Sequence, residues 1–271
     1  MVFYGSFIKL LKCLFLVAIT AYFVSMFVYP FFVIYCDGDY FEIAIDLKNL
    51  VDVLLEWQTL NAAMIALFSS VLAFYVSVYT AKIEKERNFI ASKVFLPNVF
   101  AELTGYFESS INLLFEIWSG MDKRTEHGID KNRSFLKHVN LPDTYRVVFK
   151  ECIKYGDRDA SAWLTNLINR LQIQNARLED LCKKYNGNVV FLKAEIYRML
   201  YYTSLVKAIM DKNYNYARGI DSFKKGRVKY EDLENEYSIL GVNLMERPID
   251  FDYDYLLKMS KSALEDEKYF I

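Results

Sequence analysis

An all-α protein is predicted, with a two-helix transmembrane hairpin followed by a helical-bundle domain, and three observations predict it. Two long stretches, residues 13–35 and 57–81, carry no charged side chain. At about 1.5 Å of rise per residue, each is long enough as a helix to cross a hydrocarbon layer of roughly 30 Å. The charges are displaced accordingly: of 33 Lys and Arg, only Lys9, Lys12 and Lys48 precede Lys82. Beyond Lys82, apolar residues recur at helical spacing between Gly, Pro and Asn stops.

Residues 1–12 form a short N-terminal segment carrying Lys9 and Lys12, and residues 13–35 form the first span. The apolar run is too long for a secretory signal, and no small-residue cleavage site precedes Asp37, so a retained anchor is expected, bent or ended near Pro30. Residues 36–56 are an acidic loop holding Asp37, Asp39, Glu42, Asp46, Asp52 and Glu56 against a single Lys48. The flanks outside the spans carry Lys82, Lys85, Arg87 and Lys93 besides the two early lysines. The excess of cations on that side puts both termini in the cytoplasm and the loop on the opposite face. Within the loop, Ile43, Leu47, Leu50, Val51 and Leu54 mark an amphipathic helix that lies on the membrane surface or extends the second span.

The second span, residues 57–81, sets small residues four apart at Ser69, Ala73, Ser77 and Ala81, with Ala62 and Ala66 one face over. Such a ridge lets backbones approach closely. Two occupants fit it, the first span of the same chain or further copies of the protein, and in an oligomer Thr59, Asn61, Ser70 and Thr80 would add polar groups along a narrow path. Neither span holds a charged residue, so the usual signature of proton relays, voltage sensors and ion-coupled carriers is absent.

Residues 82–271 are the expected cytosolic helical domain. Thirty cations against 28 carboxylates give it a nearly neutral balance, so its net charge does not predict a nucleic-acid field. Leu96, Phe100, Leu103, Phe107, Ile111, Leu114 and Trp118 mark a helix that opens near Pro97 and ends at Gly120. A polar loop with both histidines follows. Pro142 opens a shorter helix to Tyr155, closed by Gly156. Leu164, Leu167, Ile168, Leu171, Leu178, Leu181 and Cys182 mark a long helix capped by Asn186 and Gly187. Residues 189–210 are apolar on most sides and predict the central helix of the bundle. A basic stretch and a final acidic, tyrosine-rich helix complete the chain.

Enzyme chemistry finds little footing. His127 and His138 stand in a loop without metal-ligand spacing, and nothing frames either as a base. Asp250, Asp252 and Asp254 alternate as in a calcium loop, but Tyr255 replaces the required glycine and Lys261 the bidentate glutamate. That segment reads as a solvated loop before the last helix. Isolated Gly219, Gly226 and Gly241 make no phosphate loop. Cys13, Cys36, Cys152 and Cys182 lack paired spacing and read as free thiols. No catalytic residue, metal or cofactor is expected. Arg218, Lys224, Lys225, Arg227 and Lys229 cluster around Phe223 and Tyr230. That mixture is either a solvated surface or a contact for nucleic acid, lipid or an acidic partner.

From Trp57 to Tyr106 the chain resembles small bacterial membrane proteins in which a tryptophan-glutamine-x-leucine start opens a span. A charged helix and a leucine-proline step then lead into a helical domain. The matching positions are Trp57, Gln58, Leu60, Arg87, Ala91, Leu96, Pro97, Ala101, Leu103 and Tyr106. Some of these proteins are similar to the two-transmembrane effectors of retron-type anti-phage defence systems. The resemblance implies a multi-pass protein of the bacterial inner membrane, with loop 36–56 periplasmic. It further implies a non-enzymatic abortive-infection toxin held silent by a reverse transcriptase with its multicopy single-stranded DNA. Release would disrupt the lipid bilayer, with a homo-oligomer as one expected form, and the basic stretch would be a contact for the inhibitor. The rival expectation is a membrane-tethered scaffold or sensor that recruits a cytosolic partner and leaves permeability unchanged.

Overall fold

The segment from Gln58 to Lys93 folds as one uninterrupted 36-residue helix, α1. In a computed structural model of the chain, the residues described are 17, 19–22, 24, 55, 58–121, 135–187, 189, 192–243, 248 and 250–266. Among them the regular elements are helices and no strand occurs. The chain divides into two units, Met1–Tyr79 and Thr80–Ile271.

In the first unit, α1 begins at Gln58 and buries none of its residues. Its large apolar side chains face outward, Phe74 at 72% exposure and Ile65 at 67% among them. Tyr75 and Tyr79, four apart, stack their rings 6.4 Å apart, and the Ser70 hydroxyl donates back to the Ala66 carbonyl at 2.8 Å. Of the first expected span, positions 17 and 19–22 are helical, and the Tyr22 hydroxyl donates to the Asn61 side-chain carbonyl. Apart from Val24, the rest of that span, residues 1–12 and all of the acidic loop except Leu55 lie outside the described residues.

The second unit starts within α1. Its charged turns carry an exposed Lys82–Glu86 pair at 3.9 Å, a geometry worth little in water. A turn at Val94 and Phe95 separates α1 from α2, Leu96–Met121. The predicted stripe on α2 is the buried one, from Leu96 through Phe100, Leu103, Phe107, Ile111 and Leu114 to Trp118. Helix α3, Thr144–Tyr155, and the long α4, Arg158–Asn186, pack against each other and against α2. Asp157 starts α4 by accepting from the Ala160 amide at 2.7 Å.

The central element is α5, Lys193–Asp211, which touches α2, α4, the one-turn α6 (Tyr214–Ala217), α7 (Tyr230–Ile239) and α8 (Tyr253–Asp266). Its sequence explains the position, because the uncharged run from Met199 to Val206 offers apolar side chains all round. The expected middle helix is therefore present, although it starts at Lys193 and not at 189.

Other expectations need correction. Gly120 does not end α2, which runs to Met121. A Cβ at Gly120 would fall inside the Tyr185 hydroxyl, so glycine is there to let α4 approach. Gly187 follows α4 without a left-handed backbone (φ −81°). Asn186 instead uses its side chain to hold the 135–140 strap, donating to the Leu136 carbonyl at 2.9 Å and accepting from its amide at 3.1 Å. The C-terminal region is two helices, not one. Asp232 starts α7 by accepting from the Lys229 amide at 2.8 Å, and Gly241, at φ +70°, turns the chain after it. The acidic segment before α8 is built in as well as solvated. Asp250 accepts from Trp118 Nε1 at 2.9 Å and pairs with Lys193, which holds its carboxyl below the usual range. Asp252 caps α8 through the Tyr255 amide at 2.9 Å.

Candidate functional site

Two regions answer to the functional expectations, and they lie in different units. On α1, Ala62, Ala66, Ser69, Ala73, Ser77 and Ala81 are all exposed, as are the large apolar side chains between them other than the half-buried Met64 and Phe68. The apolar stretch of α1, uncharged as far as Ala81, is 0% buried. It is long and apolar enough to cross a membrane.

The basic stretch lies on the 218–229 loop, and the structure divides its residues. Lys224, Lys225 and Arg227 line a cleft of about 510 Å³ beside α4 and α5. Arg218 instead lies over the Tyr214 ring, 5.8 Å from its centre, and Lys229 precedes the first turn of α7. The cleft gains two cations that the linear stretch does not contain, Arg170 from α4 and Lys212 from the end of α5. The sequence did offer a signal, because Trp163, Asn166 and Arg170 follow i, i+3, i+7 spacing and so share one face of α4. Phe223 enters the same cleft with its ring edge-on to Trp163 at 5.8 Å and to Tyr216 at 5.3 Å. Tyr230, the other aromatic of the stretch, is not part of this lining.

The loop is held in place before any ligand is considered. Buried Asn213 accepts from the Lys224 amide at 2.9 Å and donates to the Lys224 carbonyl at 3.3 Å. Lys225 pairs with Asp159 at 2.5 Å and Lys224 with Asp221 at 3.0 Å. Lys212 Nζ donates to the Arg227 carbonyl, and burial pushes its pKa below the ordinary lysine range. Gly226 sits beside that ammonium at φ +120°, a backbone region that L side chains rarely adopt.

A third feature escaped sequence reading altogether. Lys207 of α5 is 2% exposed and Glu236 of α7 is 4% exposed. The Lys207 ammonium reaches Glu236 at 2.6 Å and Asp211 at 2.5 Å. Burial pushes the Glu236 carboxyl up to about 7, with the Asp211 charge adding to the rise and Lys207 opposing it. For Lys207, burial pulls downward, but the two carboxylate bonds outweigh it and the net shift is upward. The lysine at i and aspartate at i+4 are legible on one helix face, whereas the partner 25 residues further on is not.

The remaining candidates carry no reactive geometry. Cys152 and Cys182 are buried free thiols whose pKa burial raises to about 11, so neither is a ready thiolate. His138 lies in the irregular 135–140 segment, with Nδ1 buried and unbonded, and His127 is outside the described residues. Among the described residues no three His, Cys, Asp or Glu side chains gather as a metal site. In comparisons with known proteins, no protein-family profile, no curated protein and no solved structure matches the chain.

Proposed function

We propose that this chain is a membrane effector of a retron-type anti-phage defence system. In this reading residues 13–35 and 57–81 form a hairpin in the bacterial inner membrane with both termini cytoplasmic. The protein disrupts that membrane when a reverse transcriptase carrying multicopy single-stranded DNA lets go of it. The observation that carries the membrane part is the outward-facing apolar surface of α1, none of whose residues is buried among the described residues. Water would leave that surface at a cost of roughly 25 cal/mol for every Å² exposed, which a bilayer removes. The Tyr22–Asn61 hydrogen bond supports a hairpin, since it joins one expected span to the other. The defence assignment rests on the resemblance between Trp57 and Tyr106. An inhibitor can restrain such a protein only by binding the silent arrangement better than the disruptive one, and its departure then shifts the population.

A membrane-tethered scaffold or sensor is the second reading, and the cleft beside α4 and α5 favours it. One experiment separates the two. The protein is expressed without its genomic neighbours in cells carrying a membrane-potential dye. An unrestrained effector depolarises the cells and arrests growth. Normal potential and growth at verified membrane levels would reject the effector and leave the scaffold.

A further inference from the structure

We propose that the cleft between α4, α5 and the 221–229 loop binds a nucleoside phosphate. The proposal rests on the cleft alone and holds whether or not α1 enters a membrane. Its volume of about 510 Å³ lies within the roughly 300–1,000 Å³ typical of small-molecule sites.

The walls are of two kinds. Leu205, Ile209 and Leu264 supply apolar surface that an inorganic anion would leave bare, so the ligand needs an apolar or planar body. Trp163 and Phe223 stand in the same cleft and offer aromatic surface for a base. Opposite charge is called for as well. Lys224 and Lys225 have carboxylate partners at 3.0 and 2.5 Å. Among the described residues Lys212 donates its hydrogen bond to the Arg227 backbone carbonyl and has no carboxylate within 4 Å. Partial burial disfavours the charged form of this ammonium, and the Asp232 carboxylate, beyond 4 Å, only partly opposes that, so a closer negative charge would favour it. A phosphate beside Lys212 supplies that charge, and Gly226 leaves the space next to it open.

Length distinguishes a nucleotide from a longer strand. The Lys225–Asp159 pair joins the loop to the first turn of α4, while Arg170 lines the cleft eleven residues further along that helix. That separation is roughly 16 Å at about 1.5 Å per residue, room for one nucleotide. The Asn213 bonds to Lys224 fix the loop in advance, which lowers the ordering cost of binding.

The test is isothermal titration of the full-length protein in detergent with AMP, GMP, CMP and UMP and the matching diphosphates. The parent nucleosides, inorganic phosphate and dioctanoyl phosphatidic acid are the comparison probes. At least one nucleotide is expected to bind one-to-one, with its nucleoside and inorganic phosphate at least tenfold weaker. Lys212→Gln should weaken binding at least tenfold, and Lys212→Arg should restore most of it. Ala162→Trp, at an exposed position on the cleft wall, should block binding while the helical circular dichroism is unchanged. The proposal is overturned if no nucleotide binds at millimolar concentration, if binding survives both Lys212→Gln and Ala162→Trp, or if phosphatidic acid binds in preference to every nucleotide.

Discussion

Lys207 is the residue on which the interior of the helical unit is most exposed to a single change. The residue is 2% exposed and its ammonium is bonded to two carboxylates. Removing one member of a buried pair strands the other, whereas replacing both by apolar groups removes the desolvation cost too. Lys207→Met should therefore destabilise the protein by roughly 3–5 kcal/mol, while Lys207→Met with Glu236→Leu should recover most of that loss. Chemical denaturation of the two variants and the parent, run as a cycle, checks the difference. Glu236 also sets a pH dependence. The folded protein holds this proton up to about pH 7, whereas an unfolded glutamate releases it near 4.3. The folded state binds the proton more tightly, so this contribution is complete below the unfolded value and is lost as pH rises through 7. Glu236→Gln cannot ionise. Its stability relative to the parent should rise between pH 5 and pH 8, read as a change in the difference between the two melting temperatures. A pH-independent difference would contradict the assignment.

At the scale of elements, legibility followed the range of the forces. The stripe on α2 and the all-round apolar run of α5 are properties of consecutive residues, and both were readable as helices with the right faces buried. What could not be read depends on distant partners. Gly120 looks like a helix stop until Tyr185 is brought against it. Asp250 looks solvated until Trp118 and Lys193 reach it. Three of the cleft's five cations, Lys224, Lys225 and Arg227, were visible as a basic run, but Arg170 and Lys212 join them only through the packing of α4 and α5. Helix α7 was hidden because its ten residues carry charges at Glu231, Asp232, Glu234 and Glu236, and only Leu233, Glu236 and Tyr237 are buried. For α1 the sequence and the structure give the same picture, an apolar stretch uncharged as far as Ala81 on a helix with no buried residue. Ala73→Arg would place a charge near the middle of the apolar segment, at a cost of about 2.5–3.5 kcal/mol for insertion. Membrane-fraction yield should fall for Ala73→Arg and stay at the parent level for Ala73→Leu. Equal yields for the two variants would mean that this face does not meet lipid.

For the whole molecule, the reading joins two physically different parts of one chain. One unit contains an apolar surface that water does not favour, and the other is a helical fold with its own core and a basic cleft. The defence role and the inhibitor both presuppose a chain that is held in a bilayer, and that insertion is the central claim. It is tested most directly by reporter fusions. Alkaline phosphatase, active only outside the cytoplasm, and green fluorescent protein, fluorescent only inside it, are each fused after Lys48 and after Ile271. The account predicts phosphatase activity after Lys48 and fluorescence after Ile271, with the protein resisting alkaline extraction from membranes. Phosphatase activity after Ile271, or release of the intact chain into the soluble fraction, would contradict it.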